Sequence, residues 1–491
     1  MKKASWHKHH KWFGIVLSFF LIMFCLSGIV LNHPILFDSV NISRTHLPQT
    51  YRYEAWNNGL LRGTIAWNNK ILIYGNNGIW LTDSTKKSIK NFNQGLPQGV
   101  DHRNIRAMCL TPSGKLFAVG QYGLYLLGAN NVWHEINLNK SEGERLVDVT
   151  QKDGKLVVAS RSNLFLATKP YHKFEKITLQ PANNDDHKVS LFRTIWLLHS
   201  GELFGFVGKI VVDCIAIVLL LLTFTGFFYW FAPHLGKKYM RLAQHIFIPL
   251  HNKIGIWSIG FTLFLCLTGW FLRPPGLIAI ASGRIAALPF TTMDNPNPWN
   301  DNLRGIRYDN EKGDWLLSTA NGFYTMKSLS DQPIAEIHQP NVSVMGINVM
   351  EQRTNGEWLI GSFSGLYVWN RANRNIKDYF TNRKPAPIKG IPISEHAISG
   401  YAKDFETNNG AVDYYKGTNA IAMPNGMKTL PMSLRNVCVE VHTGRIYTFL
   451  GMGTIFYISI MGLALAWCLW SGWKVRRRKR KSRKDKLHSL C

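Results

Sequence analysis

The chain has 491 residues, 46% hydrophobic and 12% aromatic, with 57 Lys and Arg against 30 Asp and Glu, for a formal net charge of +27. Such a charge would ordinarily suggest nucleic acid, but ten of the basic residues stand together in the tail KVRRRKRKSRKDK (474–486), directly after an apolar run. There they read as a topological anchor, and no nucleic-acid partner is expected. HExxH, GxSxG and P-loop lysine motifs are absent, which removes the common hydrolytic chemistries.

Taken in chain order, residues 1–12 hold four Lys and form a cytoplasmic N-terminus, and 13–32 is the first transmembrane helix. Its apolar stretch is longer than a signal-peptide core and no A-x-A-like site follows, so it reads as retained. Residues 33–198 form a first outer domain. Residues 199–232 read as a second transmembrane helix with an outer extension, and 233–250 as a cytoplasmic loop. A third helix over 251–272, a second outer domain over 273–441 and a fourth helix with its own extension over 442–473 follow. The basic tail 474–491 is again cytoplasmic. Each apolar run approaches the roughly 20 residues that cross a bilayer core. Lys and Arg concentrate at 1–12, 233–250 and the tail, which is the positive-inside pattern of a bacterial inner-membrane protein with both ends in the cytoplasm and large periplasmic loops.

The spans repeat. A shift of 241 residues places His10 on His251, Gly14 on Gly255, Cys25 on Cys266, Ser27 on Thr268 and Gly28 on Gly269. In the other two spans LHSGELFGFVG (198–208) matches VHTGRIYTFLG (441–451), so His199 falls on His442, and a small gap brings Gly226 onto Gly472. The expected fold is an α-helical membrane protein, four transmembrane helices in a tandem 2+2 duplication, with two extracytoplasmic all-β, propeller-like insertions. The insertions carry a shorter repeat of polar turn, apolar strand, polar turn and apolar strand, at 68–83, 113–128, 153–168, 312–327 and 355–370, with a vaguer sixth unit near 397–425. Each unit reads as a β-hairpin, and the spacing suits propeller blades. One joint propeller and two partial stacks are both compatible with it.

Ionisable side chains at membrane depth default to functional hypotheses, and neutral imidazole is the usual axial ligand of haem iron. A lone His beside Lys and Trp at a membrane boundary is more often only interfacial. Recurrence in register favours His10, His199, His251 and His442 as ligands, with each matched pair turned toward one pseudo-twofold axis. Gly14 and Gly255 are the expected points of close approach. His33, at the end of span one, aligns with Pro274 and is a further, asymmetric candidate. His7, His9, His234 and His245 have no repeat partner and read as interfacial. Cys109 and Cys438 are the two cysteines outside the spans and the tail, and a bridge between them is conceivable.

The segments HHKWFGIVLSFFLIMFCLSG, LHSGELFGFVGKIVVDCIAIVLLLLTFTGFFYW and LHNKIGIWSIGFTLFLCLTG resemble the PepSY-associated transmembrane family, whose spans run roughly H-R-W-x-G…T-G and L-H-x-G…G…T-G-x-x-x-W. This chain departs from it at Lys11 and Asn252, where the family has Arg, and at Thr448, opposite Gly205. The resemblance implies one or two b-type haems, ligated at His10, His199, His251 and His442. It further implies electron delivery to the periplasmic face, most plausibly reducing ferric siderophores or other ferric chelates. The lipid bilayer and an electron donor, a quinol or a cytoplasmic reductase, would be the other partners. A propeller-based sensor or receptor and a transport accessory subunit are the alternative readings, and a haem absorption spectrum separates them from the first.

Overall fold

The computed structural model describes residues 3–488 except 84, 142, 344–345, 386–395 and 406–409, and it describes no side chains from 476 onward. Part of the sixth β-repeat, the tail's charges and Cys491 therefore lie outside the described residues. The chain divides into two compact units: Met1–Phe37, His187–Asp294 and Arg435–Cys491 form the first, and Asp38–Asp186 with Asn295–Leu434 the second.

The first unit is helical. Helix α1 runs Lys3–Asn32 and ends just before Pro34, which cannot continue it. A short helix α2, Leu191–Ser200, begins where Ser190 Oγ accepts from the Arg193 amide and stops at Gly201, whose φ of 79° is the left-handed cap that glycine tolerates best. Helix α3 (Gly205–Leu235), a small helix α4 (Lys237–Leu242) and helix α5 (Ile248–Phe271) follow. Beyond α6 (Gly276–Ile280) the chain leaves the unit, returning with α7 (Leu434–His442) and α8 (Thr454–His488). Four stretches are long and apolar enough to cross a membrane: Ala4–Asn32, Glu202–Leu235, Lys237–Phe271 and Thr448–Val475. They pack in the cyclic order α1, α3, α5, α8, each helix touching its two neighbours.

The extensions expected at 199–232 and 442–473 are not continuous helix. The chain breaks at Gly201 and again at Gly205 (φ 62°), so α2 folds back against α3 and α5 instead of projecting outward. Gly201 and Gly208 make the bend possible, because a Cβ on either would collide with the carbonyl oxygen of the other. Gly444 (φ 77°) ends the second extension in the same way, pressed against Tyr457.

The second unit draws its strands from both insertions. Every hairpin expected from the short repeat is present: Lys70–Gly75 with Gly78–Asp83, Leu116–Gly120 with Leu124–Leu127, Lys155–Ser160 with Leu164–Thr168, Asp314–Thr319 with Gly322–Met326, and Trp358–Ser362 with Gly365–Asn370. Each belongs to an antiparallel sheet of four or more strands, and one sheet also joins residues from both insertions through a parallel bridge between Gly63 and Tyr401. Six strands from five sheets touch in a ring: Gly63–Trp67, Ile105–Leu110, Leu146–Lys152, Leu303–Asp309, Ile347–Gln352, Ile398–Tyr401 and back to Gly63–Trp67, the last two sharing a sheet. Alternate apolar residues fill the spaces between sheets. Trp80, Trp315 and Trp358 belong to this core, each less than a tenth exposed. Cys109 and Cys438 both carry free thiols.

Candidate functional site

Four histidines of the helical unit meet in two pairs. The ring centres of His10 and His251 are 6.0 Å apart with their planes at 72°, and those of His199 and His442 are 6.1 Å apart at 60°. The first pair sits at the start of α1 and α5. The second lies near the far ends of the same helices, because His442 rests on Gly28 of α1 and His199 on Gly269 of α5. Eighteen residues separate His10 from Gly28, and eighteen separate His251 from Gly269, a rise of about 27 Å.

The same small device seats all four rings. His442 Nδ1 lies 3.0 Å from Ser27 Oγ, His199 Nδ1 3.0 Å from Thr268 Oγ1, and His251 Nδ1 3.0 Å from Thr225 Oγ1. His10 Nδ1 instead meets the Cys468 carbonyl at 3.0 Å, with Ser471 Oγ at 3.5 Å. After each hydroxyl residue comes a glycine under the ring. A Cβ would stand 3.4 Å from the imidazole at Gly28 and Gly226, and 2.9 Å at Gly269 and Gly472. Each span thus offers a Ser/Thr-Gly step to a histidine from elsewhere: α1 to His442 of α7, α8 to His10 of α1, α3 to His251 of α5 and α5 to His199 of α2.

These contacts decide the tautomer. Ser27 Oγ donates to the Met23 carbonyl at 2.6 Å, Thr225 Oγ1 to Leu221 at 2.7 Å and Thr268 Oγ1 to Phe264 at 3.0 Å. A hydroxyl has one proton, so toward the imidazole it accepts. A carbonyl oxygen facing His10 can only accept. Nδ1 therefore carries the hydrogen in all four rings, and the lone pair sits on Nε2. No hydrogen bond to any of the four Nε2 atoms is present among the described residues, and no ring is fully buried. Two imidazoles with centres about 6 Å apart and Nε2 lone pairs unengaged can hold a group ligated from both sides. No cluster of three or more His, Cys, Asp or Glu suited to a simple metal ion occurs among the described residues.

The other candidate residues are placed differently. His33 Nε2 bonds Asp213 Oδ2 at 2.6 Å, and Asn32 Nδ2 donates to Asp213 Oδ1 at 3.1 Å, so the nitrogen His33 would offer a ligand is engaged. His9 packs between Phe13 and Trp467. Gly14 and Gly255 meet only ordinary contacts, with Cys468 at 3.9 Å and Leu222 at 3.7 Å. The close approach falls instead at Gly28, Gly226, Gly269 and Gly472. The signal for them was the Ser/Thr-Gly step present in every span.

A bundle of four membrane-length helices with opposed histidine pairs near its two ends defines a multi-pass membrane protein. The family model of the PepSY-associated TM region matches residues 1–232 and 139–479, and the chain belongs to that family. No curated protein matches it. Among solved structures, it is similar to the extracellular domain of a protein described as a hybrid two-component system from B. thetaiotaomicron (11% identity, 74% of this chain and 34% of that one, TM-score 0.36). Others are an ancestral GH74 enzyme (10%, 69% and 33%, TM-score 0.33) and a computationally designed protein (9%, 75% and 87%, TM-score 0.30).

Proposed function

We propose that the protein is a membrane b-type haem protein that carries electrons across the bilayer to the periplasmic face and reduces ferric siderophores or related ferric chelates there. The observation that carries this reading is the separation within each histidine pair. An iron with two axial imidazoles needs about 2 Å to each nitrogen and roughly 1 Å more to each ring centre, which puts the centres about 6 Å apart. Values of 6.0 and 6.1 Å suit that arrangement. Near-perpendicular planes are compatible with it, since each ring needs only its Nε2 on the common axis.

In this reading His10 and His251 hold one haem and His199 and His442 a second. When bound, each would supply one-electron redox chemistry, and being held by two histidines would suit it to electron transfer rather than to oxygen binding. Ser27, Thr225, Thr268 and the Cys468 carbonyl fix the Nδ1–H tautomer and the ring angle, the usual work of partners behind a ligand. From His442 inward, the rings of Phe24, Tyr457 and Phe20 follow with successive centre separations of 5.6, 5.9 and 5.8 Å, an aromatic run that starts from the second pair and heads toward the first. The pairwise repetition of histidine and Ser/Thr-Gly supports a tandem duplication. The ring of six strands supports a single propeller completed by both insertions, whose role would be to receive the ferric chelate or a partner. The electron donor would be a quinol or a cytoplasmic reductase at the His10–His251 level.

The deciding measurement is the spectrum of the purified full-length protein. A Soret band with sharp α and β bands on reduction, and up to two haems per chain by pyridine haemochrome, is expected. Dithionite-reduced protein in vesicles should then be reoxidised by an external ferric chelate, with a ferrous trap registering the product. Protein without haem overturns the proposal; haem that ferric chelates leave reduced removes the reductase part. Reporter fusions at Gly236 and Gly361 should report opposite compartments.

A further inference from the structure

The second histidine pair is flanked by unequal charge. Arg273 follows Gly269, the glycine under His199, by four residues, and its Nη2 donates to the carbonyl of Thr443, the neighbour of His442, at 3.3 Å. One side chain thus adjoins both the helix that seats His199 and the segment that presents His442. Its Nε is buried and has no hydrogen-bond partner among the described residues. Three residues after His442, Arg445 grips Glu440 through Nε at 2.8 Å and Nη2 at 2.5 Å. Burial lowers the Arg273 pKa, the Arg445 charge lowers it further, and Glu440 raises it. Two guanidiniums and one carboxylate therefore act as a single electrostatic group with a positive excess.

The repeat-related positions lack this positive excess. Arg273 aligns with Asn32, and Arg445 with Glu202. Asn32 donates to Asp213, which also binds His33, while Glu202 lies 3.9 Å from Lys209. A ligand carboxylate nearing the second pair therefore finds the net positive charge at Arg273 and Arg445. An unbonded buried N–H is costly, and guanidinium–carboxylate hydrogen bonds are among the strong ones. Arg273 is the side chain such a ligand would satisfy.

We propose that Arg273, supported by Arg445, is a carboxylate-binding site at the edge of the second histidine pair. It rests on the haem reading above. The carboxylate could be a propionate of the tetrapyrrole itself or belong to a ferric chelate such as ferric citrate, and the two sources separate by experiment.

Arg273→Gln and Arg273→Lys are compared with the native protein by redox potentiometry without any chelate, then by reoxidation with ferric citrate and with an uncharged ferric hydroxamate. If a propionate is bound, one of the two haem potentials falls in Arg273→Gln, because losing a nearby cation disfavours the less positive reduced iron. The other potential stays and Lys restores most of the shift. If the chelate is bound, both potentials stay, and the half-saturating ferric citrate concentration rises about tenfold while the hydroxamate is unaffected. Unchanged potentials together with unchanged behaviour toward both chelates overturn the site. Native protein lacking haem bands would instead sink the parent reading. In that event the rise in Tm produced by citrate decides the site, being lost in Arg273→Gln if the site exists and retained if it does not.

Discussion

Ser27 Oγ and His442 Nδ1 stand 3.0 Å apart, and the hydroxyl's own proton is committed to the Met23 carbonyl. Helix α1 therefore presets the tautomer of a histidine more than four hundred residues away in sequence. The same relation joins Thr268 to His199 and Thr225 to His251. Replacing the hydroxyl by an isosteric methyl, as in Thr268→Val or Thr225→Val, should weaken haem retention by about 10–100-fold, the usual effect of losing the partner behind a metal ligand. Thr268→Ser should retain it. Haem titration of washed protein checks this, and indifference of both Val variants would mean that Nδ1 needs no anchor.

The glycines under the rings allow a graded steric test. A Cβ at Gly269 or Gly472 would come to 2.9 Å from an imidazole carbon, at Gly28 or Gly226 to 3.4 Å, and at Gly260 it would meet nothing within 4 Å. Gly472→Ala should displace His10 and remove the signature of the first pair. Gly269→Ala should do the same to His199 and the second pair. Gly28→Ala and Gly226→Ala should broaden the bands with less loss, and Gly260→Ala should be neutral. Haem stoichiometry and low-temperature bandwidths give the ranking, and an equal response at all five positions would show that the effect is not contact with the rings.

Much of this was legible because the repeats preserve register. A 241-residue shift that superimposes His10 on His251 together with glycine and Ser/Thr, and the separate match of LHSG (198–201) with VHTG (441–444), set the four site histidines apart from His7, His9, His234 and His245 without any structure. The β-hairpins were legible for a related reason, since alternation of apolar and polar residues is a local property of a strand. Two features were not. The bend at Gly201 and Gly205 depends on a backbone-to-backbone approach between Gly201 and Gly208, and a hydropathy pattern reads straight through it. The seating of His10 on α8 and of His442 on α1 joins residues 458 and 415 positions apart, respectively, and no local pattern encodes such a pairing.

The β-unit carries its own acid sensitivity. Arg371, almost fully buried, bonds Asp309 Oδ2 at 2.5 Å and Asp314 through both oxygens at 2.7 and 2.9 Å. Burial alone would raise the Asp309 pKa, but hydrogen bonds from Trp358, the Lys312 amide and Arg371 outweigh it and hold the group below its ordinary value. A depressed carboxylate contributes stability above its unfolded pKa and loses it as pH falls through the folded one. The unit should therefore soften below about pH 4. Arg371→Met should cost about 3–5 kcal/mol at neutral pH, because two buried carboxylates lose their cation, and the variant's stability should depend less steeply on acid. Thermal melts of the two proteins from pH 7 to pH 3 test the sign, and parallel curves would refute it.

His33 offers the sharpest contrast between a structural histidine and a ligating one. Its Nε2 is 2.6 Å from Asp213 Oδ2, on a helix long and apolar enough to cross a membrane, and Asn32 Nδ2 donates to the other oxygen of that carboxylate. A carboxylate at that depth is costly unless paired, so the work of His33 is to compensate Asp213 and tie α1 to α3. His33→Ala should leave haem stoichiometry and both reduced spectra unchanged while costing about 1 kcal/mol, the order of one hydrogen bond in a partly buried pair. Asp213→Asn removes the charge, so adding His33→Ala to it should cost less than His33→Ala alone. The coupling from that double-mutant cycle is the quantity to measure. His442→Ala, by contrast, should lose one haem with little effect on insertion. If His33→Ala instead bleaches one haem and His442→Ala does not, the second site is built around His33, and the pairing of His199 with His442 is only packing.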